Sequence, residues 1–336
     1  MVKKINRRII NLSYQEYADT KKNSVKIDFS HGEAQIPYKY SQDHRLIALL
    51  KKKEKVKEEN ILLVAGADSA LHHIAETYLE PGKKALIPVP SFPRYEFHTR
   101  MMGSKPIFIN IYRKSNKTEI INRAAKKLAV DLIFIDSPNN PTGESFSISQ
   151  LKNIICDNPR VLIILDQVLE KYNNLIASNL IKTMGNILIV KSFSKIYGVP
   201  GLRIGYILGP KNLILSIKKT ISPYEITSLS LIKAIEILEK KLYAQQIQSE
   251  IAKSQKYLRQ FLKLKFSKTI GFMALIDGEK ILPNLFFLLQ RNGIKVVNGR
   301  NFRALERSNT VRISLTNFEN VKYFVNFCNK KINTFS

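Results

Sequence analysis

Six short apolar runs constrain what this chain can fold into: 61–64, 85–89, 132–135, 161–165, 187–190 and 204–208. Each is too short for a long helix, and each is apolar at successive rather than alternate positions. Strands covered on both faces read this way. Between the runs lie helical patterns, such as Ser69 to Leu79 after Gly66. This alternation predicts an α/β fold, a three-layer large domain whose mostly parallel sheet lies between helices. A chain of 336 residues exceeds the usual size of one core, so a second, smaller domain is expected. From 228 to 264 few breakers and many Lys–Glu pairs predict a long helical segment. Beyond it, short strands at 272–276 and 311–315 flank a helical stretch at 283–291, which suits a smaller α+β domain.

Composition narrows the setting. A formal charge of +27 invites a nucleic-acid partner. The charge is spread rather than blocked, however, and the chain is rich in Lys, Asn and Ile. Its densest stretch, Lys51 to Glu59, mixes Lys with Glu54, Glu58 and Glu59, as a solvated helix face does. Nucleic acid is therefore not the expected partner, and an anionic substrate would suit the charge. No apolar run approaches the roughly 20 residues of a membrane span. The basic start, Met1 to Arg8, leads into no long apolar segment that would read as a signal peptide. Cys156 and Cys328 stand far apart and suggest neither a disulfide framework nor a metal centre. The expected compartment is the reducing cytoplasm.

The chemistry concentrates where strands end. Residues 192–205 read Ser-Phe-Ser-Lys-Ile-Tyr-Gly-Val-Pro-Gly-Leu-Arg-Ile-Gly. Lys195 follows a buried strand, where it could form a Schiff base with an aldehyde cofactor, while Ser192, Ser194 and Arg203 could hold a phosphate. Pyridoxal phosphate (PLP) enzymes need both. Gly198, Gly201 and Gly205 permit the turning that brings both ends of the loop to one anion. The plainer alternative is a strand-turn with a solvated lysine. Asp166 directly follows the strand ending at Leu165, where it could also simply cap a helix. Gly66-Ala67-Asp68 opens a helix, whose first N–H groups can bind phosphate. Phe92 lies in Val89-Pro90-Ser91-Phe92-Pro93-Arg94-Tyr95 and is either a core ring or a stacking partner for a flat ligand. On the late strand, Arg312 alternates with Val311 and Ile313 and so points away from their face. Its guanidinium fork suits a carboxylate.

These segments, in this order, resemble the fold-type I PLP-dependent aminotransferases of the class I/II superfamily. The resemblance spans residues 28 to 325 and is closest to the histidinol-phosphate aminotransferase and threonine-phosphate decarboxylase branch. It implies PLP carried by Lys195, with Asp166 at the pyridine nitrogen and Asn140 of Asp136-Ser137-Pro138-Asn139-Asn140-Pro141-Thr142-Gly143 at the ring hydroxyl. It implies Phe92 stacked on the ring, and phosphate held by the Ala67 and Asp68 amides with Ser192, Ser194 and Arg203. Arg312 would bind the substrate carboxylate, and Tyr38 or Tyr40 would reach a neighbouring subunit's phosphate. The implied activity is amino transfer between an amino acid, anionic or phosphorylated, and a 2-oxo acid, by a homodimer without metal. A large domain over 41–235 and a small domain built from 1–40 and 236–336 follow from the same likeness. Decarboxylation or another lyase reaction on the same cofactor, and a PLP-binding dimer with weakened catalysis, remain alternatives.

The chain departs from the family at three places. Where the family has Asp-x-Ala-Tyr, this chain has Asp166-Gln167-Val168-Leu169, so a donor to the ring hydroxyl is missing and Leu169 is expected to face the cofactor in its place. The stretch after Ser30 is short. The run Gly293-Ile294-Lys295-Val296-Val297 lacks the arginine that histidinol-phosphate enzymes carry, which leaves Arg300 or Arg303 to substitute and counts against histidinol phosphate as substrate.

Overall fold

A computed structural model describes residues 5–10, 12, 43–170, 178–241, 243–279 and 281–335. The main sheet contains β1 (Ile61–Val64), β2 (Lys84–Val89), β3 (Lys105–Asn110), β4 (Leu132–Asp136), β5 (Leu162–Asp166), β6 (Ile187–Ser192) and β7 (Gly205–Leu208), in the order β1-β7-β6-β5-β4-β2-β3. Strands β3, β2, β4, β5 and β6 pair in parallel, and β7 runs antiparallel to both β6 and β1. The expected α/β architecture is present, with one reversed strand. Only β3 had no counterpart among the apolar runs. It lies at the sheet edge, half-buried and carrying Pro106, which an edge strand tolerates.

Helices α1 (Arg7–Ile10) and α2 (His44–Glu54) precede the sheet, and α3 (Ala67–Tyr78), α4 (Arg94–Met101), α5 (Lys117–Leu128) and α6 (Ile148–Asp157) connect β1 through β5. The short α7 (Phe193–Ile196) joins β6 to β7, and α8 (Lys211–Lys218), α9 (Ser228–Lys240) and α10 (Ala244–Phe261) follow. Side-chain alternation along the strands divides the core. Leu132, Phe134, Leu162 and Ile164 pack against α3, α4 and α8. Ile133, Ile135, Ile163 and Leu165 pack on the other face, against α2, α5, α6 and α9. Helices cover both faces, which is why the strands read as continuous apolar runs.

A second, antiparallel sheet follows, made of β8 (Lys265–Phe266), β9 (Met273–Asp277), β10 (Val297–Asn298) and β11 (Thr310–Ser314) in the order β10-β11-β9-β8. With α11 (Leu285–Arg291) and α12 (Phe318–Phe335) it encloses its own apolar cluster, including Ile276, Leu289, Val311 and Phe324.

Four expectations change. The helical segment from 228 to 264 is two helices, because Lys241 and Tyr243 take left-handed φ values of 50° and 63°. The boundary expected at 235 falls inside α9, whose Leu231, Ala234 and Ile237 all belong to the main body. The change of body occurs along α10, where Ile251 packs in the first cluster and Leu258 in the second sheet's. Residues 5–10, expected with the smaller unit, pack on α3 instead. Asn6 Nδ2 donates to the carbonyls of Glu76 and Leu79 at 3.1 and 3.0 Å, where a helix end leaves acceptors unfilled.

Glu54 is the fourth. Expected on a solvated face, it is 0% exposed and accepts hydrogen bonds from Lys191 Nζ (2.9 Å), Ser178 Oγ (2.6 Å) and the Tyr206 hydroxyl (2.7 Å). Lys191, itself 1% exposed, also pairs with Glu170 at 2.9 Å. Burial alone would raise the Glu54 carboxyl, but the ammonium groups of Lys191 and Lys53 win and hold it down at about 2. The network clamps β6 one residue before Ser192.

Candidate active site

The reversal of β7 brings the two ends of 192–205 together, since Ser192 lies opposite Gly205 in the β6–β7 register. Ser192 Oγ caps α7 by accepting from the Ser194 N–H at 3.1 Å, and it lies 3.0 Å from Ser194 Oγ. β1 then lays the start of α3 over this pair. A Cβ on Gly205 would stand 3.0 Å from the Gly66 carbonyl carbon, and one on Gly66 (φ +90°) would stand 2.8 Å from Arg203 Nη2. Only glycine fits at either place. Ser192, Ser194, Arg203 and the free N–H groups at Ala67 and Asp68 therefore converge, and a helix N-terminus favours an anion there. The Asp68 side chain is otherwise engaged. Arg94 donates to it twice at 2.7 Å, and His98 Nε2 lies 3.0 Å away. Burial opposes these partners, yet they hold the Asp68 carboxyl below its usual range.

Lys195 sits on α7 with its side chain partly open. Burial lowers its pKa, and the charge of Arg312 lowers it further, so more of the amine is neutral than for a free lysine. Arg312 lies on the face of β11 opposite the buried Val311 and Ile313. Its Nη1 donates to Asn140 Oδ1 at 2.8 Å, and burial draws the guanidinium pKa down. This bond joins the second sheet to the turn after β4. Gly143 (φ +70°) secures the same turn. A Cβ there would be 2.2 Å from Thr269 Oγ1, and the Gly143 carbonyl accepts from Ile270 N at 3.1 Å.

Asp166, 7% exposed at the end of β5, accepts from Val168 N–H (2.9 Å) and the Tyr95 hydroxyl (2.8 Å). Burial raises its pKa against both bonds, and no cation pairs with it among the described residues. Tyr95 is held by stacking on Phe134, centroids 4.8 Å apart and planes 6° apart, and Phe92 meets it edge-on at 5.8 Å.

Several sequence expectations fall elsewhere. Tyr38 and Tyr40 lie outside the described residues. Leu169, expected to face the cofactor, is buried in the apolar cluster on the α2/α5/α6 side of the sheet. Arg303 is held by Glu96 at 2.8 and 2.7 Å over the Phe108 ring, and Arg300 Nε reaches the Ser308 carbonyl at 3.4 Å.

Three residues had been given no role. Tyr95 orients Asp166. Asp136 pairs in register with Asp166 and accepts from Asn140 N–H (3.0 Å) and Asn139 Nδ2 (2.8 Å), so it shapes the turn. Its strand-end position, the same as Asp166's, was the available signal. Burial, with the Asp166 charge adding, pushes its carboxyl up to about 7 despite the bonds to Asn140 and Asn139. Glu225 fixes a later loop to the phosphate turn, accepting from Ala65 N–H at 3.2 Å and from the Ser69 hydroxyl, with His73 Nε2 at 3.3 Å. Nothing local in the sequence marks it.

An amine of lowered basicity, a buried carboxylate with no cation among the described residues, a guanidinium fork and an anion cradle suit a phosphorylated, cationic-ring cofactor. Residues 13–327 match the family Aminotransferase class I and II, and the chain belongs to that family. It is a PLP-dependent transaminase. A histidinol-phosphate aminotransferase of Pelagibacter ubique is 30% identical over 301 residues, 86% of this chain and 83% of its own. The L-threonine-O-3-phosphate decarboxylase of Porphyromonas gingivalis shares 25% identity with a TM-score of 0.71, covering 86% of this chain and 91% of that one. The fold is also that of a Sinorhizobium meliloti histidinol-phosphate aminotransferase in complex with pyridoxal-5'-phosphate (TM-score 0.76, 18% identity, 89% of this chain and 84% of that one). The cradle at Gly66 and the unpaired charge of Asp166 both fit PLP.

Proposed function

We propose that the protein moves an amino group from an amino acid that carries a further anionic group to a 2-oxo acid, with Lys195 as the cofactor-bearing and proton-moving residue. The observation that carries this is the Lys195–Arg312–Asn140 arrangement, in which an amine of lowered pKa and a carboxylate fork stand together. When bound, PLP supplies an electron sink next to the amine carbon of the substrate. Asp166 holds a proton on the ring nitrogen, with Tyr95 keeping the carboxylate oriented. Asn140 presents its amide to the ring hydroxyl. Ser192, Ser194, Arg203 and the Ala67 and Asp68 amides grip the phosphate. Arg312 would take the substrate carboxylate and thereby orient the bonds at the α carbon. Lys195 Nζ, as a free amine, would take the α proton and hold it for redelivery.

The relatives named above act on phosphorylated substrates, and the basic charge of the chain supports a substrate of that kind. Reaction of a decarboxylase type is the second reading, favoured by the likeness to the Porphyromonas enzyme. Adding amino donors one at a time to the loaded enzyme separates the two. Amino transfer converts the visible cofactor band to that of pyridoxamine phosphate and releases a 2-oxo acid, while carbon dioxide release without that conversion would replace the first reading by the second. Borohydride reduction and peptide mapping should place the pyridoxyl group on Lys195, and a label on another lysine would refute its role. A homodimer is supported by exposed apolar side chains on α9, Leu229 and Ile232. A reducing compartment, the cytoplasm, is supported by the exposed free thiol of Cys156. Among the described residues no helix is long and apolar enough to cross a membrane.

A further inference from the structure

A second concavity shares the 139–146 turn with the active site but none of the residues assigned to cofactor or substrate. It holds about 420 Å³, within the range of small-ligand sites. It opens where the main sheet splits. Strands β2 and β4 are paired only at Ala85–Leu132 and Leu86–Ile133, and Pro88, Pro90, Ile135 and Asp136 line the gap beyond. The winding of the chain also reverses here. β2 leads through α4 to β3 on one side, and β4 leads through α6 to β5 on the other, with α4 and α6 on opposite faces. Open α/β sheets bind ligands outside the carboxyl ends of their strands at such reversals.

The lining is amphipathic. Ile111, Ile135 and Phe146 give an apolar floor, and Lys114, Lys117 and Lys268 bring ammonium groups to it. Glu144 pairs with Lys117, whereas Lys114 and Lys268 make no ion pair among the described residues. We propose that this cleft is a second ligand site, for a small organic anion that joins a carboxylate, sulfonate or phosphate to an apolar body, and that its occupancy is felt at Asn140. An anion seated there competes with Glu144 for Lys117. The Glu144 carbonyl accepts from Asn139 N–H at 2.7 Å, and Asn139 and Asn140 both donate to Asp136. Hydrogen bonds thus run unbroken from the cleft to the residue that meets Arg312. The binding half stands on the cleft alone, and the second half rests on the role proposed for Asn140.

One titration reads the two halves separately. Cofactor-loaded enzyme is titrated with anilinonaphthalene sulfonate, an aromatic sulfonate that fluoresces in apolar surroundings, while the visible absorbance of the cofactor is followed. One saturable site is expected. It should weaken by about tenfold or more when Lys114→Glu and Lys268→Glu remove charge-assisted contacts. Ser145→Trp, which fills the cleft, should abolish it, with circular dichroism verifying the fold of each variant. Equal affinity in wild type and variants overturns the site. An absorbance that stays fixed while the site fills overturns the link to Asn140.

Discussion

Tyr95 shows how much of the site depends on residues that touch no substrate. Its hydroxyl is the side-chain donor to Asp166, in a place where burial already disfavours the carboxylate. Tyr95→Phe should leave a buried oxygen unpaired and lower stability by about 1–3 kcal/mol. It should also weaken PLP binding, because Asp166 then spends more of its time protonated and cannot hold the ring nitrogen. Cofactor titration of the variant is the check, and an unchanged affinity would remove Tyr95 from the cofactor's environment. Arg203 lies against Gly66 and should act on the phosphate directly. Arg203→Ala is expected to speed PLP loss on dialysis by about tenfold, the value of one charge-assisted bond. The serines, Lys195 and Arg203 stand within fourteen consecutive residues of one motif, so the sequence alone brings them forward as candidates. The roles of Tyr95, Asp136 and Glu225 were not legible there, since each follows from a partner that only the folded sheet brings near.

Among the elements, strands covered on both faces announced themselves, and β3 did not, because an edge strand is only half-buried and admits proline. The break at Lys241 and Tyr243 carries no glycine or proline to signal it. Glu54 looked solvated because its partners Ser178, Lys191 and Tyr206 lie 124, 137 and 152 residues away. The segment after β5 gives the sharpest test at this scale. Leu169 aligns with a family tyrosine but packs in an apolar cluster, so Leu169→Tyr should overpack it. A loss of about 1–3 kcal/mol in urea unfolding is expected, with the visible cofactor spectrum unaltered. A shifted spectrum at unchanged stability would instead place residue 169 at the ring hydroxyl.

For the molecule as a whole, two buried carboxyl groups pull stability in opposite directions with pH. Glu54 is held at about 2 against a usual 4.5, so its contribution is complete above 4.5 and fades as pH falls toward 2. Asp136 is raised from 3.8 to about 7, so its contribution is complete below 3.8 and is lost as pH rises through about 7. Urea midpoints of wild type should therefore decline on the way from acid to neutral pH more steeply than those of Asp136→Asn, and parallel curves would deny Asp136 its shifted titration. Lys191→Met should cost about 3–5 kcal/mol at neutral pH, because Glu170 is then left buried without its cation and Glu54 keeps only Lys53. The order of the main sheet has a kinetic consequence as well. β6 and β7 form a local hairpin, but β1 reaches β7 only by closing a loop from Ile61 to Leu208. Such distant pairings are slow to form. Gly66 arrives with β1, so the proposed phosphate cradle is complete only once this edge is docked. PLP can then recognise only chains that have finished folding, and by binding them it withdraws them from the unfolding equilibrium.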